Sequence, residues 1–191
     1  MPAVSYTTLF ERMLDHDLIS VFLGVDARDV MHVTDTTVEV CGRSYGGEVV
    51  YTGALDELFG MDLGALPYRT VDMVFETLER ERFQPVGTVN YTVSENFTRI
   101  TEFKNMTGQV APGRTTILRE YSRSYLPGVG ETPYYVVNDP ENLELYGKYR
   151  ARVEGILNFH AVGRLAEYRY YDMDGVTASA LELSDEIINN H

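Results

Sequence analysis

The residues of this chain best suited to chemistry are arginines and tyrosines set among glycines. The stretch Gly163-Arg164-Leu165-Ala166-Glu167-Tyr168-Arg169-Tyr170-Tyr171-Asp172-Met173-Asp174-Gly175 carries two arginines, three tyrosines and two aspartates. An arginine offers paired N–H donors to a phosphate, and a tyrosine offers a hydroxyl beside an apolar face. The stretch runs into Val176 to Ile188, where Val176, Ala180, Leu181, Leu183 and Ile187 recur at roughly helical spacing. A helix start presents unpaired N–H groups and a partial positive charge, which suits a phosphate or pyrophosphate. The plain alternative is that Asp172 or Asp174 caps the helix while the tyrosines pack beneath it; capping is the commoner use of such residues, and the local pattern leaves both open. The same residue types recur upstream as Tyr68-Arg69, Arg99, Tyr121 with Arg123, and Tyr134-Tyr135. Singly, each reads as a surface ion pair or a packed aromatic. Their number is what points to a sugar-nucleotide site.

Composition narrows the other classes. A chain of 191 residues with 44% hydrophobic content can bury a real core in one compact domain or two small ones. Its net charge of −13, with the basic residues scattered, disfavours nucleic acid as a partner. A single cysteine, Cys41, excludes an internal disulfide and a cysteine-based zinc site. The apolar runs are too short for a membrane-spanning helix and no basic-then-apolar leader is visible, so the expectation is a cytoplasmic chain without a membrane partner. The histidines lack metal-ligand spacing, and no phosphate-binding loop or serine-nucleophile elbow is present. There is also no G-x-G-x-x-G, so a complete dinucleotide fold is not encoded here.

The elements that must position these residues follow from periodicity. Ser5 to Leu14 predicts a helix, with Thr8 and Glu11 at capping-box spacing. Leu18 to Val25 predicts a buried strand, Thr36 to Val40 a second and Glu48 to Tyr51 a third, the last ending at Gly53, where a tight turn or a close approach is expected. Ala54 to Phe59 predicts a short helix. Thr70 to Thr77, Val86 to Thr92, Phe97 to Lys104 and Arg114 to Tyr121 are rich in β-branched and aromatic residues and are separated by turns, which favours an antiparallel sheet. Glu141 to Val153 returns to helix, and Ile156 to Val162 makes a strand that leads into the Gly163 turn. The fold class is therefore α/β (α+β), an antiparallel sheet inserted between two pieces of an α/β layer. Open α/β layers bind cofactors at the C-terminal ends of their strands, which is where Gly163 would lie.

Gly163 to Asp174 closely resembles the flavin-contacting motif near the C-terminus of the UDP-galactopyranose mutase family. The likeness extends to Val49-Val50-Tyr51-Thr52-Gly53-Ala54-Leu55-Asp56-Glu57-Leu58-Phe59, Gly64-Ala65-Leu66-Pro67-Tyr68-Arg69-Thr70, Val89-Asn90-Tyr91-Thr92, Phe97-Thr98-Arg99-Ile100-Thr101-Glu102, Arg119-Glu120-Tyr121-Ser122-Arg123 and Pro133-Tyr134-Tyr135. Tyr6-Thr7, ahead of Leu9 to Leu14, is similar to the family's mid-chain helix. The resemblance spans essentially the whole chain.

That resemblance implies an isomerase that uses reduced FAD to interconvert UDP-galactopyranose and UDP-galactofuranose through a flavin N5–sugar adduct, a step toward cell-surface polysaccharide. It implies that Arg99 is catalytic, stabilising charge on the diphosphate, and that Tyr6, Arg69, Asn90, Tyr135, Tyr170 and Asp172 join it in binding substrate. It implies cofactor contacts from Arg164 and from Met173, Asp174, Gly175, Val176, Thr177 and Ala178. Residues 1–62 then form the middle of the FAD-binding layer, 63–138 the substrate sheet and 139–191 the last part of the layer. Ala166 stands where the family has glycine, and the spacing from Asn90 to Arg99 is one residue short. The family's glycine-rich Rossmann unit and helical domain are expected ahead of Met1, so the missing N-terminal half is an expected partner, with a homodimer as another, and the chain alone is expected to be inactive. The competing reading is a catalytically inactive homologue serving as a binding or structural module.

Overall fold

In the computed structural model, which describes residues 5–190, the chain divides into two compact units, residues 1–47 and 48–191. In the first, helix α1 (Tyr6–Leu14) starts at Ser5, whose side chain accepts the Thr8 amide. The cap is thus Ser5, and not the Thr8–Glu11 box that spacing predicts. Helix α2 (Ala27–Val30) leads into an antiparallel sheet of β1 (Met31–Val33), β2 (Val38–Val40) and β3 (Arg43–Ser44). The strand expected at Leu18 to Val25 does not form. A turn in which Ile19 N–H donates to the His16 carbonyl precedes the run, and Leu18, Phe22 and Leu23 are 78–89% exposed. An apolar run becomes a strand only where a neighbour pairs its backbone and covers its face. Among the described residues no element of this unit pairs with the run, and its side chains stay exposed.

The second unit joins two sheets. β4 (Val49–Tyr51) pairs in parallel with β10 (Phe159–Ala161), which closes the chain on itself across more than a hundred positions. Tyr51 folds back so that its hydroxyl donates to the Ala54 carbonyl. Its ring leaves no room at residue 53, where a Cβ would lie 2.5 Å from the hydroxyl, so the glycine there serves the close approach of a side chain. Helix α3 (Leu55–Leu58) follows. Helix α5 (Pro140–Val153) starts on Asp139, which accepts the Asn142 amide, with proline at its first position, as helix entry favours. Its Tyr149 is fully buried, stacks on Phe59, accepts the Leu63 amide and donates to the Gly64 carbonyl.

Between α3 and α5 lies a five-stranded antiparallel sheet in the order β6 (Thr88–Asn90), β7 (Arg99–Glu102), β8 (Thr115–Ser124), β5 (Tyr68–Leu78), β9 (Tyr135–Val136). The strand expected at Phe97 to Lys104 is cut short, because helix α4 (Phe103–Thr107) begins at Phe103 and ends at Gly108 in the left-handed conformation. The reason is Glu102. Its carboxylate is fully buried and accepts the Phe83 and Gln84 amides, the Thr115 hydroxyl at 2.6 Å and the Asn105 side-chain amide. That last bond turns the chain away from the sheet at the strand's end. Helix α6 (Met173–Asn189) completes the unit, and none of its residues is buried.

Burial alone would raise the Glu102 carboxyl, but the Thr115 hydroxyl and the two backbone amides outweigh it and hold the group below the usual range. This stabilisation is complete above the unfolded-state pKa of about 4.3 and is lost as pH falls through the lower folded value. Glu102→Gln is expected to cost about 2–3 kcal/mol near neutral pH in urea denaturation, with the gap to the parent closing in the acid limb. An unchanged midpoint would show that Glu102 is not the anchor.

Candidate functional site

The antiparallel register sorts the candidate residues by face. Residues directly opposite one another across a ladder share a face, and so do residues two apart along a strand. Asn90 lies opposite Arg99, Arg99 opposite Glu120, and Glu120 opposite Met73. Four residues from Met73 along the same strand is Arg69, which lies opposite both Ser124 and Tyr135. Arg69, Asn90, Arg99 and Tyr135 therefore line one face of the sheet. The backbones of Arg69 and Arg99 are on the order of 16 Å apart, two strands sideways and four residues along.

Arg99 is held by the Asn90 side-chain oxygen, which accepts from Nε at 2.8 Å, and more loosely by Glu120, whose carboxylate lies 3.8 Å from its guanidinium. Arg69 donates from Nε to the Ser122 hydroxyl. Glu120 and Ser122 were not distinguishable as site residues by type. Strand alternation counted from Arg69 is the signal that places them here.

At the β9 edge of the same sheet, Arg164 reaches in from the turn after β10. Its guanidinium carbon lies 5.5 Å from the centre of the Tyr135 ring and 4.9 Å from that of Tyr170, and it donates to the Tyr134 carbonyl at 2.6 Å. The Tyr135 and Tyr170 rings are near parallel at 6.2 Å. Such cation–π contacts are each worth about 0.5–2 kcal/mol. The Tyr170 hydroxyl donates to Asp172 Oδ1 at 2.9 Å, and this bond, with the nearby negative charge, pushes the phenol above its ordinary range.

Asp172 occupies the cap position of α6, yet its carboxylate takes Tyr170 instead of a helix amide. The Asp172 side chain therefore does not cap α6. The first turns of α6, from Met173 through Asp174, Gly175, Val176 and Thr177 to Ala178, begin without a side-chain cap. The turn before them is fixed from below. Gly163 adopts φ +99°, and Tyr168, 1% exposed, adopts φ +47°. The Tyr168 hydroxyl lies 2.6 Å from the Pro67 carbonyl and 2.9 Å from that of Val137, and burial pushes it up to about 12, so it stays a donor. Ala166 is fully buried without a left-handed backbone, and its carbonyl accepts the Tyr146 hydroxyl. A residue with a Cβ is therefore accommodated there.

Two further candidates are placed by their own elements. Tyr6 belongs to α1 in the first unit. Arg123, one of the upstream arginines, points to the opposite sheet face from Arg69 and Arg99, where it pairs with Asp72 at 2.9 Å and Glu131 at 2.8 Å. A polar hollow of about 450 Å³ is lined by more carboxylates, Glu154, Glu167, Glu182 and Glu186, than guanidiniums, Arg150 and Arg169, and includes none of the cluster. Among the described residues there is no group of metal-ligating side chains, and no helix is long and apolar enough to cross a membrane.

Residues 1–170 match the protein-family model for UDP-galactopyranose mutase. The chain is 30% identical to the UDP-galactopyranose mutase of Mycoplasma pneumoniae over 191 residues, covering 98% of this chain and 48% of the relative. It is 32% identical to a probable UDP-galactopyranose mutase of Klebsiella pneumoniae, covering 100% and 46%. It is 31% identical to a dTDP-fucopyranose mutase of Escherichia coli, covering 100% and 49%. The fold is similar to a crystal structure of reduced UDP-galactopyranose mutase, with a TM-score of 0.60 at 15% identity, over 82% of this chain and 44% of that one. The chain thus spans about half the length of the relatives it matches.

Tyr168→Phe removes the donor that ties the Gly163 turn to the starts of the sheet and of α5. The variant is expected to lose about 1–2 kcal/mol in thermal or urea unfolding, and equal stability would show that the turn is held by packing alone.

Proposed function

This chain belongs to the UDP-galactopyranose mutase family, and on that premise we propose that it forms the nucleotide-sugar-binding half of a flavin-dependent isomerase acting on UDP-galactopyranose and UDP-galactofuranose. The observation that carries the reading is the shared sheet face of Arg69, Asn90, Arg99 and Tyr135, with Arg164 and Tyr170 closing on Tyr135 at its edge.

The reaction separates UDP from the sugar and returns it at a different ring size. Negative charge therefore collects on the diphosphate at the moment of greatest energy, and a fixed cation there lowers the barrier. Arg99 is the catalytic candidate, because Asn90 orients its guanidinium and its ion pair with Glu120 is a loose one, at 3.8 Å, without a hydrogen bond. Arg69 and Tyr135 extend the same face along the ligand. Tyr170, anchored on Asp172, presents a hydroxyl and a ring at the edge nearest α6. Tyr6 joins the substrate contacts in this reading.

An FAD fits the residues present. The α6 start is free of a side-chain cap, Arg164 supplies a cation beside it, and the parallel strand β10 ends just before the turn. Arg164 and Met173 to Ala178 are the residues that would hold it. The chemistry expected of reduced FAD there is nucleophilic, with no net redox change. The sheet of residues 63–138 serves the sugar nucleotide, and the flanking pieces 1–62 and 139–191 serve the cofactor. Nucleotide-sugar metabolism assigns the activity to the cytoplasm.

Purified alone, the 191-residue chain is expected to show no mutase turnover and no stoichiometric flavin absorbance, because the matched half supplies only part of the cradle. A one-to-one bound flavin would refute this. In calorimetric titration, UDP is expected to bind weakly, and Arg99→Ala to weaken it at least about tenfold by removing a charge-assisted contact. UDP binding unaffected by Arg99→Ala, or absent at millimolar UDP, would favour a module that keeps the fold without the site.

A further inference from the structure

The segment from Gly163 to Asp172 carries two sets of side chains. Arg164, Tyr170 and Asp172 belong to the candidate site, and Tyr168 is the buried tie beneath it. Glu167, Arg169 and Tyr171 form a second set, with the Glu167 carboxylate at its centre. One oxygen, Oε2, accepts the Gly163 amide at 2.8 Å, and the other, Oε1, accepts the Tyr171 hydroxyl at 2.9 Å. The Tyr171 oxygen in turn accepts from Arg169 Nη1 at 3.3 Å, and that guanidinium carbon lies 4.7 Å from the centre of the Tyr171 ring. Backbone bonds close the same loop: the Glu167 amide donates to the Gly163 carbonyl and the Arg169 amide to the Arg164 carbonyl. The Tyr171 ring also meets the first turn of α6, where a Cβ on Gly175 would lie 3.3 Å from it.

We propose that Glu167 is a positioning residue of the site: by tying the Gly163 amide to the Tyr171 hydroxyl, it sets Arg164, Tyr170 and the start of α6 relative to one another. The inference rests on the mutase reading for what those three groups contact, and on geometry alone for the brace itself. A carboxylate suits the place because its two oxygens accept at once, and bonds to an ionised acceptor are roughly twice as strong as neutral ones. Its two arms span the turn from its first residue to the aromatic that packs on α6, and Arg164 and Tyr170 lie between them in the chain. Two bends make such a brace necessary. Gly163 and Tyr168 both have positive φ, and for Tyr168 that backbone conformation is costly and persists only where its surroundings hold it. Glu167 itself lines the separate hollow beside Arg150 and Glu154, so it acts through the residues it ties and not by touching a ligand.

The test uses the full 191-residue chain, isotope-labelled for NMR. Glu167→Ala is expected to abolish the nuclear Overhauser contact between the near-parallel Tyr135 and Tyr170 rings and to weaken UDP binding at least about threefold. Glu167→Gln keeps an acceptor for the Gly163 amide and should restore both in part. Tyr171→Phe releases only the arm toward α6 and should give the same two losses in smaller measure, so the test stands even where the alanine variant fails to fold. In a Tyr170→Ala background, Glu167→Ala should cost no further UDP affinity, because the group it positions is gone. Ring contact and affinity unchanged in the variants that fold, or a full additional loss of affinity in the Tyr170→Ala background, would overturn the assignment. A parent chain that binds no UDP, yet loses the ring contact in Glu167→Ala, would instead sink the nucleotide reading and leave the brace standing.

Discussion

The parallel pairing of Val49–Tyr51 with Phe159–Ala161 is the contact on which the second unit depends. It joins segments separated by most of the chain, so the intervening sheet must leave the layer and return within that closure. Its rim is well packed: Phe159 meets the Tyr51 ring at 5.9 Å, and Ala54, Leu55, Tyr149, Val153 and Ile156 are buried around it. The loop-closure entropy for so long a span grows only slowly with length and is offset by burying several large side chains. One result is geometric. Because β10 runs parallel to β4, its C-terminal end delivers the Gly163 turn to the side where Tyr168 fastens onto the Pro67 and Val137 carbonyls. Tyr168 thereby couples the layer to the start of β5 and to the segment after β9, and the candidate site lies along that seam.

Much of this was legible in the sequence, for reasons that can be assigned. Long β-branched runs such as Tyr68 to Leu78 and Thr115 to Ser124 have enough residues for alternation to show, and the five-stranded antiparallel sheet follows from them. The helices α5 and α6 are long enough for their period to show. Strands of two or three residues, such as β3 and β9, carry no readable period. Leu18 to Val25 failed for the opposite reason. Its composition is that of a buried strand, but burial is a property of the surroundings, and among the described residues the first unit supplies no strand partner for it.

The candidate site rests on residue type and family likeness more than on pattern. Composition presents Arg69, Arg99 and Arg123 as equals. Register separates them: Arg123 lies opposite Thr70, one residue from Arg69 along the strand, and one residue is the difference between the two faces of a sheet. Asp172 shows the same limit for caps. Its place before α6 is right for capping, but the choice between the helix amides and the Tyr170 hydroxyl is made by side-chain geometry that no spacing rule contains.

Arginine partners carry this distinction into function. Arg123, Arg119 and Arg152 each have a carboxylate in close contact, from Asp72 with Glu131, from Glu76 and from Asp62 respectively. A guanidinium engaged in this way gains little by exchanging one anion for another, and each of the three serves to hold strands or helices together. Arg69 and Arg164 rest instead on neutral acceptors, the Ser122 hydroxyl and the Tyr134 carbonyl, and Arg99 rests on the Asn90 amide oxygen with its nearest carboxylate 3.8 Å away. Neutral acceptors set the direction of a cation without cancelling its charge. In a chain with a net charge of −13, such positions keep local positive potential against the average. The arginines proposed to receive a diphosphate thus differ from the closely paired ones in resting on neutral hydrogen-bond acceptors.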